Sequence, residues 1–324
     1  MKRLLIPAIM AVCVLRASSL TPDTGAHSDS TGTASATHYR LYTAGGPVLA
    51  FDVQADVIWC ALESSVIAIP LNGEKKTAYP ALGTMPAQSI EAIAADRQGR
   101  IWFGGPQGIA MKNGPKFTDF TTKSGLSGNR VNAIAAADDG SVWVGTDSGA
   151  CVFIGETWKQ FTVKDGLVSD RIQAIAVDDK GRVWFGTDKG ISVFNGATWT
   201  SYTTQNGMSD NDDTRALAYD RNKGVLWAAV GDKDVNTFDG QKWNIYMDTQ
   251  AGIRTIMVDS QSRIWFGFGT GKGILKFNGD DWLPDPTPFG VPISQTYQMR
   301  CDEKGNLWFA TDQGVIHLVN PYPF

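Results

Sequence analysis

Apolar and polar positions along this chain alternate in short runs separated by Gly, Asp and Asn, and the runs come in sets of four. Between Ile172 and Tyr202 the set reads IQAIAV, VWFGT, ISVF and TWTSY. β-branched and aromatic residues dominate each run, and the turns between them, DDKG, DKG and Asn195-Gly196, are of hairpin type. Four short antiparallel strands are predicted here. So small a sheet cannot bury both faces alone and needs copies of itself on either side.

The copies follow the tryptophan of the second strand. It recurs in VIWCA (Trp59), RIWFG (Trp102), SVWVG (Trp143), RVWFG (Trp184), VLWAA (Trp227), RIWFG (Trp265) and NLWFA (Trp308). The interval is roughly 40 residues, the period of a four-stranded propeller blade. The other four tryptophans, Trp158, Trp199, Trp243 and Trp282, open the fourth strand of their repeats. The pattern predicts an all-β, seven-bladed β-propeller.

Its closure is also predicted. The last repeat, NLWFATDQGVIHLVNPYPF, has no fourth strand before Pro321 and Pro323, which do not sit in a central strand. The stretch THYRLYT matches the fourth-strand motif with no blade before it, Tyr39 standing where Trp199 does and Tyr42 where Tyr202 does. Blade seven is therefore expected to borrow its outer strand from the N-terminal segment and hydrogen-bond it to 314–319, which removes an open edge.

Ahead of the repeats, residues 1–19 have a basic start, an apolar run from Leu4 to Leu15 and a small-residue end, the pattern of a signal peptide. The run is too short to span a bilayer. Residues 20–37, rich in Ser, Thr, Gly and Asp, read as a flexible spacer, and 38–324 as the propeller. A periplasmic or extracellular location is expected, with no stable membrane span in the mature chain. Net charge is −4, and loss of Lys2, Arg3 and Arg16 makes it more negative, which argues against nucleic acid as a partner. Cys60, Cys151 and Cys301 would remain, without metal-type spacing. They read as small core residues, with a Cys60–Cys301 disulfide across the closing seam as the alternative.

The blade pattern, clearest in IQAIAVDDKGRVWFGTDKGI, resembles the two-component-regulator propeller repeat. The resemblance implies a periplasmic sensor module that binds ligands, often oligosaccharide fragments, and works with a kinase. Here the chain has one ring and no kinase, so a signalling partner would be encoded separately. A weaker likeness is to streptogramin B lyase, a secreted-type propeller enzyme that uses a His and an acidic metal site.

Little catalytic chemistry is legible. His27 falls in the spacer and His38 at the closing strand, while His317 alternates with Ile316 and Leu318 and reads as a strand residue with one satisfied nitrogen. There is no GxSxG, HExxH or paired Cys. The loop SDNDDT gathers Asp210, Asp212 and Asp213, the hard-oxygen donors calcium takes, but lacks calcium-loop spacing, and a solvated turn is the alternative. No cofactor is otherwise expected.

The ring offers one further clue. At a single repeat position near the start of each first strand stand Val48, Glu91, Asn132, Gln173, Arg215, Arg254 and Tyr297, and just before them Arg130, Arg171, Asp170 and Asp213. Identical backbone positions with different polar side chains suit a mouth tuned to one small-molecule, glycan or protein ligand, with arginines for anionic or hydroxyl groups and Tyr297 as a stacking surface. The alternatives are a hydrated channel whose residues pair with one another, a lyase-type enzyme, or a structural interaction scaffold.

Overall fold

The computed structural model describes residues 39–87, 89–209, 212–248, 252–269, 271, 273–277, 282–283 and 293–319. The proposed signal peptide and spacer, Pro321, Pro323, His27, His38 and Asp210 lie outside them. The chain divides into two compact units. Thr37–Tyr322 holds the repeats, and the other, Met1–Ala36 with Pro323–Phe324, lies outside the described residues.

Seven four-stranded antiparallel sheets form the seven blades. The first strands are Ala50–Gln54, Ala92–Ala95, Val131–Ala136, Ile172–Val177, Thr214–Asp220, Ile253–Val258 and Thr296–Cys301. Each contacts the first strand of the next blade, and that of blade seven contacts blade one, so they close a ring around a central channel. A small extra ladder, Ala81–Leu82 with Met85–Pro86, sits between blades one and two. Among the described residues no helix is long and apolar enough to cross a membrane.

Blade seven closes as the sequence predicts. Tyr39–Tyr42 runs antiparallel to Gly314–Leu318, in the register Tyr39 to Leu318 and Tyr42 to Val315. Side chains then tie blade seven to blade one. The Gln298 carboxamide oxygen accepts the Phe51 backbone N–H at 2.8 Å, and the buried Asp52 pairs with Arg300 at 2.9 Å.

The repeated tryptophans form the inter-blade core. Trp102 and Trp184 are fully buried. Six of the seven rings pack edge-on or tilted against an aromatic of the following blade, as in Trp59–Phe103 at 5.6 Å, Trp143–Phe185 at 5.6 Å and Trp265–Phe309 at 5.7 Å. The glycine after WF lets the next blade approach, since a Cβ on Gly186 would stand 2.8 Å from Thr214 Cγ2. Gly190 is held at φ +123°, where a side chain would strike the Tyr202 carbonyl.

An aspartate six residues before the tryptophan, buried in three cases and half-buried at Asp302, locks four blades. Asp96, Asp178, Asp259 and Asp302 accept the indole N–H of Trp102, Trp184, Trp265 and Trp308 at 2.7, 2.9, 2.8 and 3.0 Å. In three of them an arginine donates to the same oxygen: Arg100 at 2.5 Å, Arg182 at 2.6 Å and Arg263 at 2.7 Å. In blade seven Asn306 takes that role. The other carboxylate oxygen accepts two backbone N–H groups of the DxxG turn, as at Asp178 from Lys180 and Arg182. Blade three has Ala137 and Ser141 at these two positions.

Candidate functional site

The side-chain variety noted at one repeat position has a backbone cause. In blades three to seven the ladder between first and second strands slips by one residue, between Val131 and Ala133, Ile172 and Ala174, Thr214 and Ala216, Ile253 and Thr255, and Thr296 and Gln298. The skipped residues are Asn132, Gln173, Arg215, Arg254 and Tyr297. A β-bulge of this kind leaves one residue outside the ladder and re-aims its side chain, here at one mouth of the channel. Glu91 takes the equivalent place in blade two, its backbone N–H bonded to Gly104 O at 2.8 Å.

Blade one departs from the expected set. Asp52 pairs with Trp59 as Ala176 does with Trp184, which puts Leu49 rather than Val48 at the bulge position. Val48 is fully buried in the seam core, as a β-branched apolar residue between two blades should be.

Around the mouth the polar groups link one blade to the next. Arg130 bonds Glu91 at 2.9 Å and lies 3.7 Å from Asp147. Asn132 donates to Asp147 at 2.7 Å and to the Ile172 carbonyl at 2.8 Å. Gln173 donates to Asp213 at 2.5 Å, and Arg215 bridges Asp213 at 2.8 Å and Asp232 at 2.6 Å. The Tyr297 hydroxyl donates to Gln295 at 2.8 Å, and the Arg254 guanidinium stacks over the Tyr297 ring at 4.5 Å. Partial burial raises the Glu91 carboxyl above its ordinary value, against the pull of Arg130. These pairs are the mutual pairing weighed for a hydrated channel.

Two cations are not absorbed into this network. Arg254 and Arg171 are exposed and have no ion-pair partner among the described residues. They are the groups the mouth still offers to a ligand, with the Tyr297 face beside Arg254.

The first strands also line a cavity of about 250 Å3 toward their other ends, walled by alanines and aliphatics such as Ala135 and Ile175, with Arg221 and Arg300 at its edge. Both arginines are paired, Arg221 with Asp138 at 3.0 Å and Arg300 with Asp52.

In the acidic loop Asp212 accepts the Thr204 backbone N–H at 2.6 Å, as Asp170 accepts that of Val163 and Asn129 that of Thr122, so this position braces the loops entering blades three, four and five. Among the described residues no group of three His, Cys, Asp or Glu is placed to hold a metal ion. Cys60, Cys151 and Cys301 are free thiols, and burial pushes the Cys60 thiol up to about 12.

His317 differs from expectation. Neither ring nitrogen finds a partner, because the imidazole lies stacked on Trp308 with Tyr42 nearby and no polar neighbour reaches its edge.

The chain carries repeats of the two component regulator propeller type: that family model matches residues 84–107, 125–148 and 166–189. No curated protein matches the chain. Among solved structures it is similar to the extracellular domain of the hybrid two component system BT3049 from B. thetaiotaomicron, with TM-score 0.72 and 18% identity over 88% of this chain and 41% of that one. It thus spans less than half the length of that extracellular domain. It is also similar to virginiamycin B lyase from Staphylococcus aureus, catalytically inactive and with quinupristin, at TM-score 0.68 and 13% identity over 86% of this chain and 98% of that one. A third is YCF48 bound to D1 peptide, at TM-score 0.66 and 13% identity over 87% and 97%. At these identities the likeness is one of fold.

Proposed function

We propose that this propeller is the ligand-binding module of a secreted or periplasmic sensor-type system, taking a small-molecule, glycan or protein ligand at the bulged mouth of its channel. One observation carries the reading: bulges in five successive blades bring Asn132, Gln173, Arg215, Arg254 and Tyr297 to one rim. A purely structural ring has no need to re-aim five different side chains at the same place. The extracellular sensor domains of similar fold support the class, and a separately encoded signalling partner would complete it.

Within the rim, Arg254 over Tyr297 and the unpaired Arg171 suit hydroxyl or anionic groups and a flat ring or sugar face. The lyase reading is less well served, since the one described histidine, His317, belongs to the blade-seven seam and not to this rim. A thermal-shift screen of sugars, peptides and divalent ions against the folded chain tests the proposal, because a ligand that binds only the native state raises the melting temperature. The proposal expects a hit whose effect is lost in Arg254→Ala. A hit that Arg254→Ala, Arg171→Ala and Tyr297→Ala all leave unchanged would overturn it.

A further inference from the structure

Blade three lacks the lock that four other blades share, and the molecule is open there. In blades two and four an arginine lies over the tryptophan, Arg100 5.1 Å from the Trp102 ring centroid and Arg182 5.1 Å from that of Trp184. Its guanidinium and the indole N–H both donate to one buried aspartate. Blade three replaces that aspartate by Ala137 and that arginine by Ser141. The vacated volume is a pocket of about 380 Å3 between blades three and four, floored by Trp143, Phe161 and Phe194. That size falls in the range of small-ligand sites, about 300–1,000 Å3.

Two features say what belongs in it. The Trp143 indole is only 6% exposed, yet its N–H has no hydrogen-bond partner among the described residues, and the ring lines the pocket. The N–H is not fully buried and stays open to an acceptor that a ligand brings. At the edge stand Asp139 and Asp179, both exposed and neither in an ion pair among the described residues. Asp139 accepts only from Ser141, and Asp179 from the Tyr219 hydroxyl at 2.7 Å. The remaining acids there are already matched, Asp138 by Arg97 and Arg221 and Asp178 by Arg182. The one cation of the lining, Lys159, sits over Phe161 at 4.9 Å.

We propose that this lateral pocket binds an arginine side chain of a protein or peptide partner. The guanidinium takes the place over Trp143 that Arg100 and Arg182 fill in their own blades, Asp139 and Asp179 supply its counter-charge, and a main-chain carbonyl of the partner accepts the Trp143 N–H. The chain's own blades are the template for the geometry. Aromatic stacking is a favourable environment for a guanidinium. An anionic partner would meet two unpaired carboxylates. The pocket is separate from the channel mouth, so it stands or falls independently of the proposed sensor reading.

The test is calorimetric titration of the folded chain with acetyl-Gly-Arg-Gly-amide and with its citrulline analogue, which keeps the shape and removes the charge. The arginine peptide is expected to bind at least tenfold more tightly than the citrulline one. The double substitution Ala137→Asp with Ser141→Arg rebuilds the lock, and it should leave the fold intact while reducing arginine-peptide affinity at least tenfold. Asp139→Asn with Asp179→Asn keeps both hydrogen-bond acceptor roles, and it should bring the arginine peptide down to the citrulline level, which keeps the question answerable if the first variant fails to fold. Arg254→Ala at the channel mouth should change nothing. No binding of the arginine peptide, equal binding of the two peptides, or undiminished binding in the folded lock variant would each overturn the proposal.

Discussion

The His317 imidazole lies flat on the Trp308 indole, ring centroids 3.6 Å apart and planes within 5°. Both residues belong to blade seven, His317 one strand and Trp308 two strands inside the borrowed strand Tyr39–Tyr42, so the stack sits where the ring is closed. Burial holds the imidazole well below its ordinary value, to about 4, with Arg40 adding to the depression and Asp302 opposing it.

That burial gives the seam a pH dependence of known sign. The folded state binds the proton less readily than the unfolded chain, so the contribution is intact above the ordinary histidine value of about 6.5. It is lost as pH falls from there toward 4, with a slope of at most about 1.4 kcal/mol per pH unit for one proton. Asp302, held low by Trp308 and Asn306, loses its own contribution only at still lower pH. Urea unfolding at pH 7 and pH 4.5 should show a smaller drop for His317→Phe than for the parent. Equal drops would mean that the imidazole is not buried as neutral.

Closure itself is tested by truncation. A chain beginning at residue 45 loses the strand paired to Gly314–Leu318 and the Tyr42 contact with Trp308. It should melt well below a chain beginning at residue 38. Identical melting temperatures would show that Tyr39–Tyr42 adds nothing to the ring.

The aspartate lock makes a paired prediction in blade four. Trp184→Ala should cost about 3–5 kcal/mol as a large-to-small change at a fully buried site. Asp178→Ala should cost a similar amount, about 3–5 kcal/mol, because it strands the Arg182 guanidinium and the Trp184 N–H together. Adding Arg182→Ser reproduces the blade-three pair, and it should cost less than the two single changes summed. Denaturant titration of the four variants decides it, and strict additivity would argue that the two side chains do not act as a unit.

At the rim, stability and binding should separate. Arg215 makes two exposed ion pairs, so Arg215→Ala should change stability by less than about 1 kcal/mol. Arg254→Ala should be as mild on folding, yet weaken a ligand found by the thermal-shift screen by about 1.5–3 kcal/mol if that ligand accepts a charge-assisted hydrogen bond. Lys242→Ala, on the outer turn of blade five, serves as the control and should affect neither measurement.

Blade number, strand order and the shared seventh blade were legible in the sequence because each rests on local rules: the tryptophan interval, period-two alternation, Gly and Asp at the turns, and a fourth-strand motif with no blade ahead of it. The repeat position at which side chains vary was legible for the same reason. Tertiary structure alone decided how those residues sit against the ladder. The bulges that release Asn132 through Tyr297 from the ladder leave no mark in the hydrophobic pattern, since the skipped residue and its neighbours keep their polarity, and they also place Leu49 where counting put Val48. Ala137 and Ser141 are visible in the sequence as a departure from the repeat. Whether that departure makes a hole depends on how closely Phe185 and Phe194 of the next blade approach Trp143, which is a matter of packing between blades and not of any one strand.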